Sequence, residues 1–318
     1  MQPIDPARFR EVPTLTGPEV SRRAGVDHAF AKRVWLTLGL PDIPDDEIEF
    51  DESDVDVLGG LKLILDQGYP REDVLEVARA HGYAMSRVAQ AEVRVFNKVF
   101  ITPLREQAPD DEALADRLEA VVPVLLDLLG KILHHVHRRH LAIALQEVTA
   151  SARSGATETL AAGFVDLVDF SRVTQELEGA DLGDLVNRFE SMAMETCVAG
   201  GGHVVKMIGD AVMFVAPDPE TALRVALAVV AGVEEDDALP AARAGVDYGE
   251  VVAMTGDFFG RPVNVAARLT SFARPGTVVA SEELTEAAAV PLQTSHIGRI
   301  RLHNVGHVRA FKVNAVGP

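Results

Sequence analysis

The sequence predicts an α+β protein, in which an all-helical N-terminal domain is followed by an α/β sandwich. Up to about residue 156 no strand-like alternation appears, and apolar residues recur at helical spacing. From Thr159 onward, short β-branched runs interleave with helical segments, which is typical of helices packed on a mixed sheet. The predicted organisation is a helical domain over 1–150, a small-residue linker over 151–156 and a second domain over 157–318.

Composition excludes several classes of protein. The 318 residues carry a formal net charge of -18, which repels nucleic acid and anionic membranes, so neither is an expected partner. The single cysteine, Cys197, leaves no internal disulfide. Neither a signal peptide nor a membrane span is recognisable, because the most apolar stretch, residues 121–133, is short and contains Pro123 and charged residues. We expect a cytoplasmic protein.

The first helices have a helix-turn-helix pattern. Thr16 and Glu19 have the spacing of a capping box, and Gly25 separates a helix ending near Ala24 from a second helix over 27–38. Residues 15–40 resemble the opening of MerR-type winged-helix regulators, so a DNA-binding transcription regulator is one hypothesis. A row of acidic residues over 42–56 argues against it, and a scaffold used for packing is favoured. The nearby basic residues are interpreted as a solvated face or as ion-pair partners: Arg22, Arg23, Lys32 and Arg33.

Further helices are predicted up to the end of the first domain. Gly68, Gly82 and Pro103 are interpreted as helix ends. The predicted helices span residues 53–67, 71–81, 85–100, 110–122 and 124–150. The last is predicted to be the long helix that connects the two domains.

This connecting helix carries a cluster of histidines. His134, His137 and His140 are spaced three apart and share one helical face, beside Arg138 and Arg139. Crowded imidazoles near cations titrate around neutral pH, which suggests a pH-sensing joint. A solvated basic face and a metal site are the alternatives, although the cluster lacks a nearby carboxylate.

The second half alternates between strands and helices. Gly209 and Asp210 form the turn of a hairpin over 203–215, and a second hairpin is predicted around Gly249. The other predicted strands span 160–168, 277–280 and parts of 297–313, and the predicted helices span 181–199, 219–232, 263–273 and 282–289.

Several polar residues in this half are candidates for chemistry. Lys206 can only donate and Asp210 can only accept hydrogen bonds, and both lie at one end of the first hairpin. Asn264 and Arg268 are one helical turn apart and project from one face. Each feature alone is also compatible with an ordinary solvated turn or helix.

Three segments taken together are more specific. They are residues 164–171 (Phe-Val-Asp-Leu-Val-Asp-Phe-Ser), 206–210 (Lys-Met-Ile-Gly-Asp) and 257–268 (Asp-Phe-Phe-Gly-Arg-Pro-Val-Asn-Val-Ala-Ala-Arg). In order and separation they resemble the catalytic domain of class III nucleotidyl cyclases, over roughly residues 157–316. The N-terminal half more loosely resembles the helical regulatory domain that precedes such catalytic domains in bacteria.

The resemblance implies a ferredoxin-like α/β sandwich and an adenylate cyclase, which converts ATP to 3′,5′-cyclic AMP and pyrophosphate with two divalent metal ions (Mg²⁺ or Mn²⁺). By resemblance, Asp166 and Asp210 are metal ligands, Lys206 and Asp257 read adenine, Asn264 positions the ribose, Arg268 stabilises the transition state, and Phe170 and Ser171 contact substrate. A lysine donor and a carboxylate acceptor match N1 and N6 of adenine and mismatch guanine, which favours ATP over GTP.

In this family two catalytic domains share each site, so the resemblance implies an active homodimer, gated by the N-terminal domain. One departure from the family pattern is Asp169, where glycine is usual in a turn that approaches phosphate. A further triphosphate-binding cation is not evident, with Arg274 as a candidate. The alternative function is a catalytically impaired, cyclase-like interaction module.

Overall fold

The computed structural model describes residues 12–108, 111–151, 158–176, 179–254 and 256–317. The chain forms two compact units, Met1–Gln146 and Glu147–Pro318, which are described separately below. Most of the predicted linker, residues 152–156, lies outside the described residues, and the boundaries at 150 and 157 stay predictions.

Helices dominate the first unit. Its elements are β1 (Leu15–Thr16), α1 (Gly17–Ala24), α2 (His28–Thr37), β2 (Ile48–Phe50), α3 (Glu52–Asp66), α4 (Arg71–Phe96), a π-helical turn (Asn97–Ile101), α5 (Thr102–Gln107) and α6 (Asp111–Ser151). The capping box is confirmed, since the Thr16 N–H donates to the Glu19 carboxylate over 2.9 Å.

The small antiparallel sheet of β1 and β2 was not predicted. Its strands are two and three residues long, too short for a recognisable alternation. Pairing of Leu15 with Phe50 brings the Phe50 ring within 6.0 Å of the Trp35 ring, measured between centroids. The sheet therefore joins the acidic segment to a core that contains Val20, Trp35 and Leu58.

Three predicted helix ends in this unit are wrong. Gly82 lies inside α4 and does not end it. A Cβ there would come within 2.4 Å of the Leu38 carbonyl oxygen, so glycine is needed for α4 to pass close to the residue that follows α2. Pro103 lies in the first turn of α5, where its missing N–H costs little. Pro123 lies inside α6, so the helices predicted over 110–122 and 124–150 are one helix, which packs through Val122 and Leu125 on both sides of the proline.

The basic residues of α1 and α2 include two ion-paired side chains. Arg23 donates two hydrogen bonds to Glu52, at 2.8 and 2.6 Å, and the Lys32 ammonium lies 2.9 Å from Asp42. These pairs link the basic helices to the acidic segment that follows, as the interpretation of internal ion pairs expects. The charge of both lysine and arginine is thereby partly neutralised within the domain.

The second unit is a mixed sheet with helices on both faces. Its strands are β3 (Glu158–Leu167), β4 (His203–Ile208), β5 (Ala211–Ala216), β6 (Ala242–Met254), β7 (Asp257–Phe259), β8 (Val278–Ser281), β9 (Leu292–Leu302) and β10 (Gly306–Val316). Its helices are α7 (Phe170–Glu176), α8 (Gly179–Ala199), α9 (Pro219–Glu234), α10 (Arg261–Phe272) and α11 (Glu282–Ala287). The strand order is β4-β5-β3-β6-β8-β10-β9, and β7 pairs with β6. Only the β6–β8 pair is parallel among the described pairings of this unit.

Alternate residues of the central strands face different helices. Val165, Phe214 and Val246 belong to the core under α8 and α9, which also buries Cys197. Burial raises the pKa of the Cys197 thiol to about 11, as a structural thiol requires. Phe164 and Met213 point to the opposite face, against α10. The predicted α+β class is confirmed.

The predicted hairpin around Gly249 is instead one continuous strand, β6. Gly249 has φ of 157°, a conformation that glycine adopts without strain and that lets the strand continue through it. The reversal comes later, where Met254 pairs with Asp257. Among the described residues, no helix is both long and apolar enough to cross a membrane.

Candidate active site

Two carboxylates predicted as metal ligands meet at one end of the sheet. Asp166 lies one residue before the end of β3, and Asp210 lies in the β4–β5 turn. Asp166 pairs in register with Ala211, and the Leu167 N–H donates to the Asp210 carbonyl over 3.1 Å. Burial raises the pKa of Asp210, and the negative charge of Asp166 raises it further. The sheet therefore places two interacting acids side by side.

Arg243 is part of this acidic site and was missed by the sequence analysis. Asp166 pairs in register with Arg243 on the neighbouring strand β6, and the guanidinium donates to Asp166 Oδ2 from Nε at 3.0 Å and Nη2 at 2.8 Å. A third donor, Nη1, reaches the Ser271 carbonyl in α10 over 3.3 Å. Arg243 therefore orients one carboxylate and connects it to α10. Only the strand register reveals it, since 77 positions separate the pair in sequence.

The acid pair fits a hydrated divalent cation. No group of three or more His, Cys, Asp or Glu side chains within metal-binding reach occurs in the described part of the chain. Two carboxylates that repel each other, with Asp210 half-buried, are still what Mg²⁺ or Mn²⁺ uses when waters and substrate phosphates supply the other ligands. The donor set is thus suited to an ion that arrives with a nucleotide.

Asp169, at the departure from the family pattern, has a left-handed backbone. Its φ is 58°, and its carbonyl accepts the N–H groups of Arg172 at 2.9 Å and Val173 at 3.2 Å, at the start of α7. Glycine adopts this conformation freely, whereas a side chain is strained in it by roughly 1–2 kcal/mol, less for aspartate than for most residues. The turn thus has the shape that glycine favours, and the exposed Asp169 side chain adds a negative charge three residues after Asp166.

Replacing Asp169 with glycine is expected to raise the cyclase activity that the family resemblance implies. The change removes backbone strain and about 1 kcal/mol of repulsion towards a triphosphate, which corresponds to roughly fivefold in kcat/KM. Initial rates at subsaturating ATP measure it. Asp169→Asn is the matched control, because it removes the charge and keeps a side chain that tolerates this backbone. Lower activity in both variants would instead make Asp169 a ligand of the reacting complex.

The two predicted adenine-reading residues form an ion pair. Lys206 on β4 and Asp257 at the start of β7 contact each other through Nζ and Oδ2, although 51 positions separate them in sequence. The Phe258 N–H donates to the other Asp257 oxygen over 2.9 Å, which fixes the carboxylate. A donor and an acceptor therefore lie side by side, partly buried, as recognition of one base edge requires.

Helix α10 presents the remaining predicted residues. Asn264 and Arg268 are both exposed on one face of α10. Asn264 Nδ2 donates to the Gly260 carbonyl over 3.2 Å, so its amide oxygen points away from that bond. Arg268 makes no hydrogen bond or ion pair with the residues that the structure describes, which leaves its guanidinium able to bind an anion.

Phe170, Ser171 and Arg274 are the other candidate residues. Phe170 is the first residue of α7 and packs against the core under α8 and α9, so it holds the turn that contains Asp169 in place. The Ser171 side chain lies outside the described residues. Arg274 is exposed in the turn after α10, with its carbonyl accepting from Thr277, and the structure brings none of the other candidate residues to it.

Comparison with known proteins agrees with this geometry. The model of the adenylate and guanylate cyclase catalytic domain matches residues 153–315, and the model of the adenylate cyclase regulatory domain matches residues 11–145. The chain belongs to the adenylate and guanylate cyclase family. The resemblance to class III cyclases, and the order of a regulatory domain before a catalytic domain, are thereby confirmed.

Named relatives support the same assignment of this cyclase. An adenylate cyclase from Streptomyces coelicolor is 33% identical over 84% of this chain and 70% of its own length. A pH-sensitive adenylate cyclase from Mycobacterium tuberculosis is 31% identical over 94% of this chain and 78% of its own. Among solved structures, the adenylyl cyclase CyaB from P. aeruginosa is 22% identical, with a TM-score of 0.47, covering 50% of this chain and 95% of that one. The predicted enzyme class, an adenylate cyclase, is confirmed by the curated relatives.

Proposed function

We propose that this cyclase converts ATP to 3′,5′-cyclic AMP and pyrophosphate at sites shared between two copies of the chain. The observation that carries the proposal is that the fold forms two separate pairs from residues that are distant in sequence. Asp166 and Asp210 converge at one end of the sheet, and Lys206 and Asp257 meet as a donor and an acceptor. An acid pair suits a metal-bound triphosphate, and a donor–acceptor pair suits the adenine edge.

In the proposed reaction the ribose 3′-oxygen bonds to the α-phosphorus, the bond to the β-phosphate oxygen breaks, and the hydroxyl proton passes to solvent. Divalent ions held by Asp166 and Asp210 would acidify the 3′-hydroxyl and neutralise phosphate charge. Arg243 keeps Asp166 oriented. Asn264 positions the ribose, and Arg268 donates to the α-phosphoryl oxygens as negative charge grows there.

The homodimer is part of the proposal. Asn264 and Arg268 are exposed on one face of α10, where a second copy of the chain could reach them. The group on α10 and the acid pair would serve one nucleotide if each came from a different subunit, and a two-fold axis would then create two equivalent sites.

A nucleotide assay tests the reaction. The purified protein is expected to release cyclic AMP and pyrophosphate from ATP with Mg²⁺ or Mn²⁺, and to prefer ATP to GTP. Lys206→Met removes a charged hydrogen bond to the base and should lower kcat/KM for ATP roughly 10- to 100-fold. Lys131→Met is the control, at an exposed lysine of α6 that pairs with Asp127 one helical turn away. Nucleotide binding without turnover would favour the alternative of an impaired interaction module.

We also propose that the histidines of α6 contribute to pH-dependent gating of catalysis. The structure adds a partner that the sequence analysis missed, because the His137 ring lies 5.9 Å from the His81 ring of α4, centroid to centroid. Protonation of both rings places like charges beside each other, with Arg138 adjacent in sequence, and so weakens the packing of α6 against α4. The relative from M. tuberculosis is itself named pH-sensitive.

Replacing His81 and His137 together with glutamine should flatten the pH dependence of the enzyme between about pH 5.5 and 8, because glutamine cannot take up the protons whose charges are proposed to weaken the packing of α6 against α4. Initial rates of cyclic AMP formation across this range, in buffers of constant ionic strength, measure the change. His307→Gln, an exposed histidine on β10, should leave the profile unaltered. An unchanged profile in the double variant would remove these two rings from the gate.

A further inference from the structure

Asp247 is a buried carboxylate that the proposed mechanism does not use. It lies on β6, and none of its surface is exposed. The Ser281 hydroxyl donates to one carboxylate oxygen, Oδ1. The other oxygen, Oδ2, has no hydrogen-bond partner among the described residues. Its nearest cation is Arg261, whose Nη1 lies 3.9 Å away.

A carboxylate in this position is unfavourable for the stability of the fold. Burial raises the pKa of Asp247 to about 6, despite the Ser281 and Tyr248 donors and Arg261, which lower it. A raised pKa means that the fold prefers the protonated form. The stability that the fold gains from protonated Asp247 is therefore complete below the ordinary pKa of 3.8 and is lost as the pH rises through about 6. At neutral pH the ionised carboxylate destabilises the protein. Its presence at this position is therefore better explained by an interaction that serves function than by one that serves stability.

The surroundings of Asp247 indicate what that interaction is. Arg243, Gly245 and Asp247 alternate along β6 and face α10. Arg243 bonds to the carbonyl of Ser271 at the C-terminal end of the helix, and Gly245 lies under its middle. Asp247 lies at the N-terminal end, facing Arg261, the first helical residue. This face of β6 therefore packs under α10 from one end of the helix to the other, with a charged side chain at each end.

We propose that Asp247 is a positioning residue for the cyclase reaction, which through Arg261 fixes the first turn of α10 and with it the orientation of Asn264 and Arg268. The inference rests on the proposed function, because it assigns Asp247 a part in that reaction. Arg261, Asn264 and Arg268 occupy one exposed face of α10, so a rotation at the first residue is transmitted to the other two.

Arg261 also bonds to a second acid. Its Nη2 lies 3.0 Å from the Glu283 carboxylate on α11, and both of these side chains are about half exposed. The charged groups that face Asp247 are thus Arg261 from α10 and Glu283 from α11, while β8 contributes only the Ser281 hydroxyl. The exposed Arg261–Glu283 pair is screened by solvent, and Asp247 adds a second negative group, which is buried, 3.9 Å from Nη1 of Arg261.

The inference has a pH consequence. Below about pH 6, protonation of Asp247 removes its attraction for Arg261, and the first turn of α10 is held only by its remaining contacts. The turnover number should therefore fall on the acid side through this group, in addition to any effect of the histidines of α6.

The test is a double-mutant cycle in the 318-residue enzyme. Asp247→Asn keeps the shape of the side chain and the acceptor for Ser281, but loses the charge. At pH 8 its kcat should fall roughly tenfold, since small displacements of positioned groups lower rates by this order or more. Arg261→Gln should have the same effect, and the double variant should be no slower than either single variant. Glu283→Gln, which keeps the Asp247–Arg261 pair, should stay within about twofold of wild type.

The pH profile gives a second measurement. Both Asp247→Asn and Arg261→Gln should lack the part of the acid limb near pH 6, and Asp247→Asn should melt at pH 8 no lower than wild type. Unchanged kcat in Asp247→Asn, or additive losses in the double variant, would overturn the inference. If Asp247→Asn does not fold, wild-type kcat in the exposed Arg261→Gln variant would overturn it alone. An inactive wild type would instead reject the proposed function.

Discussion

Two inactive forms of this cyclase are expected to restore activity when they are combined as subunits. One form carries Asp166→Asn and Asp210→Asn, which remove the charges proposed to bind the metal ions. The other carries Asn264→Ala and Arg268→Ala, which remove the groups proposed to act on ribose and phosphate. Each homodimer has two defective sites. A mixed dimer has one site that lacks both sets and one site that is intact.

The size of the recovery follows from the dimer statistics. Equal amounts of freely exchanging subunits give half mixed dimers, each with one intact site of two, so about a quarter of wild-type specific activity should return. Two different affinity tags on co-expressed chains allow mixed dimers to be purified and assayed for cyclic AMP. This is the largest effect we expect, because it runs from undetectable activity to a substantial fraction.

The matched control uses two variants from the same set. Asp166→Asn combined with Asp210→Asn should recover nothing, because both residues belong to the same half of each site and every site in the mixed dimer keeps one defect. Recovery in this control, or no recovery in purified mixed dimers of the first pair, would contradict a site shared as proposed.

A single methyl group at Gly245 is expected to displace α10. A Cβ at this position would lie 2.2 Å from the backbone nitrogen of Thr270 and 2.4 Å from the carbonyl oxygen of Ala266. Backbone atoms cannot rotate away as a side chain does, so the helix must move from the sheet. Overpacking of this kind destabilises by about 1–3 kcal/mol, and a shift of about 1 Å in positioned groups lowers kcat roughly 100-fold.

Gly183→Ala is the control for Gly245→Ala. Gly183 lies in α8 with open space around its Cβ position, so alanine there should stabilise the helix slightly and leave kcat unchanged. Thermal unfolding and initial rates separate the two effects. Wild-type kcat in a folded Gly245→Ala variant would show that the distance between α10 and β6 does not limit catalysis.

The parts of the site that could be predicted from sequence are those carried by contiguous segments. Asp210 lies in a tight turn and Asn264 and Arg268 in one helical turn, so local spacing defines their neighbours. Arg243 and Asp247 were missed because their importance depends on which strand lies beside β6 and on which helix lies over it. Strand register and the packing of α10 are long-range properties that no local pattern encodes.

The helix boundaries show the same limit. Gly82 and Pro123 are strong local signals for a helix end, yet α4 and α6 continue through both. At Gly82 the contact with Leu38 requires a residue without a side chain, and at Pro123 packing on both sides offsets the loss of one hydrogen bond. Tertiary contacts outweigh local propensity at these positions.

Lys206 and Asp257, which we propose to read the base, are paired with each other in the protein, so each already has a partner of opposite charge. A base that binds to these residues has to separate Lys206 from Asp257 before it can form a hydrogen bond with each of them. A base that offers an acceptor to Lys206 and a donor to Asp257 replaces the interaction that it breaks. A base that offers only one of them leaves the other charged side chain without a partner. If these two residues read the base as proposed, a nucleotide that matches only one of them should therefore bind poorly, because the ion pair is lost without full replacement.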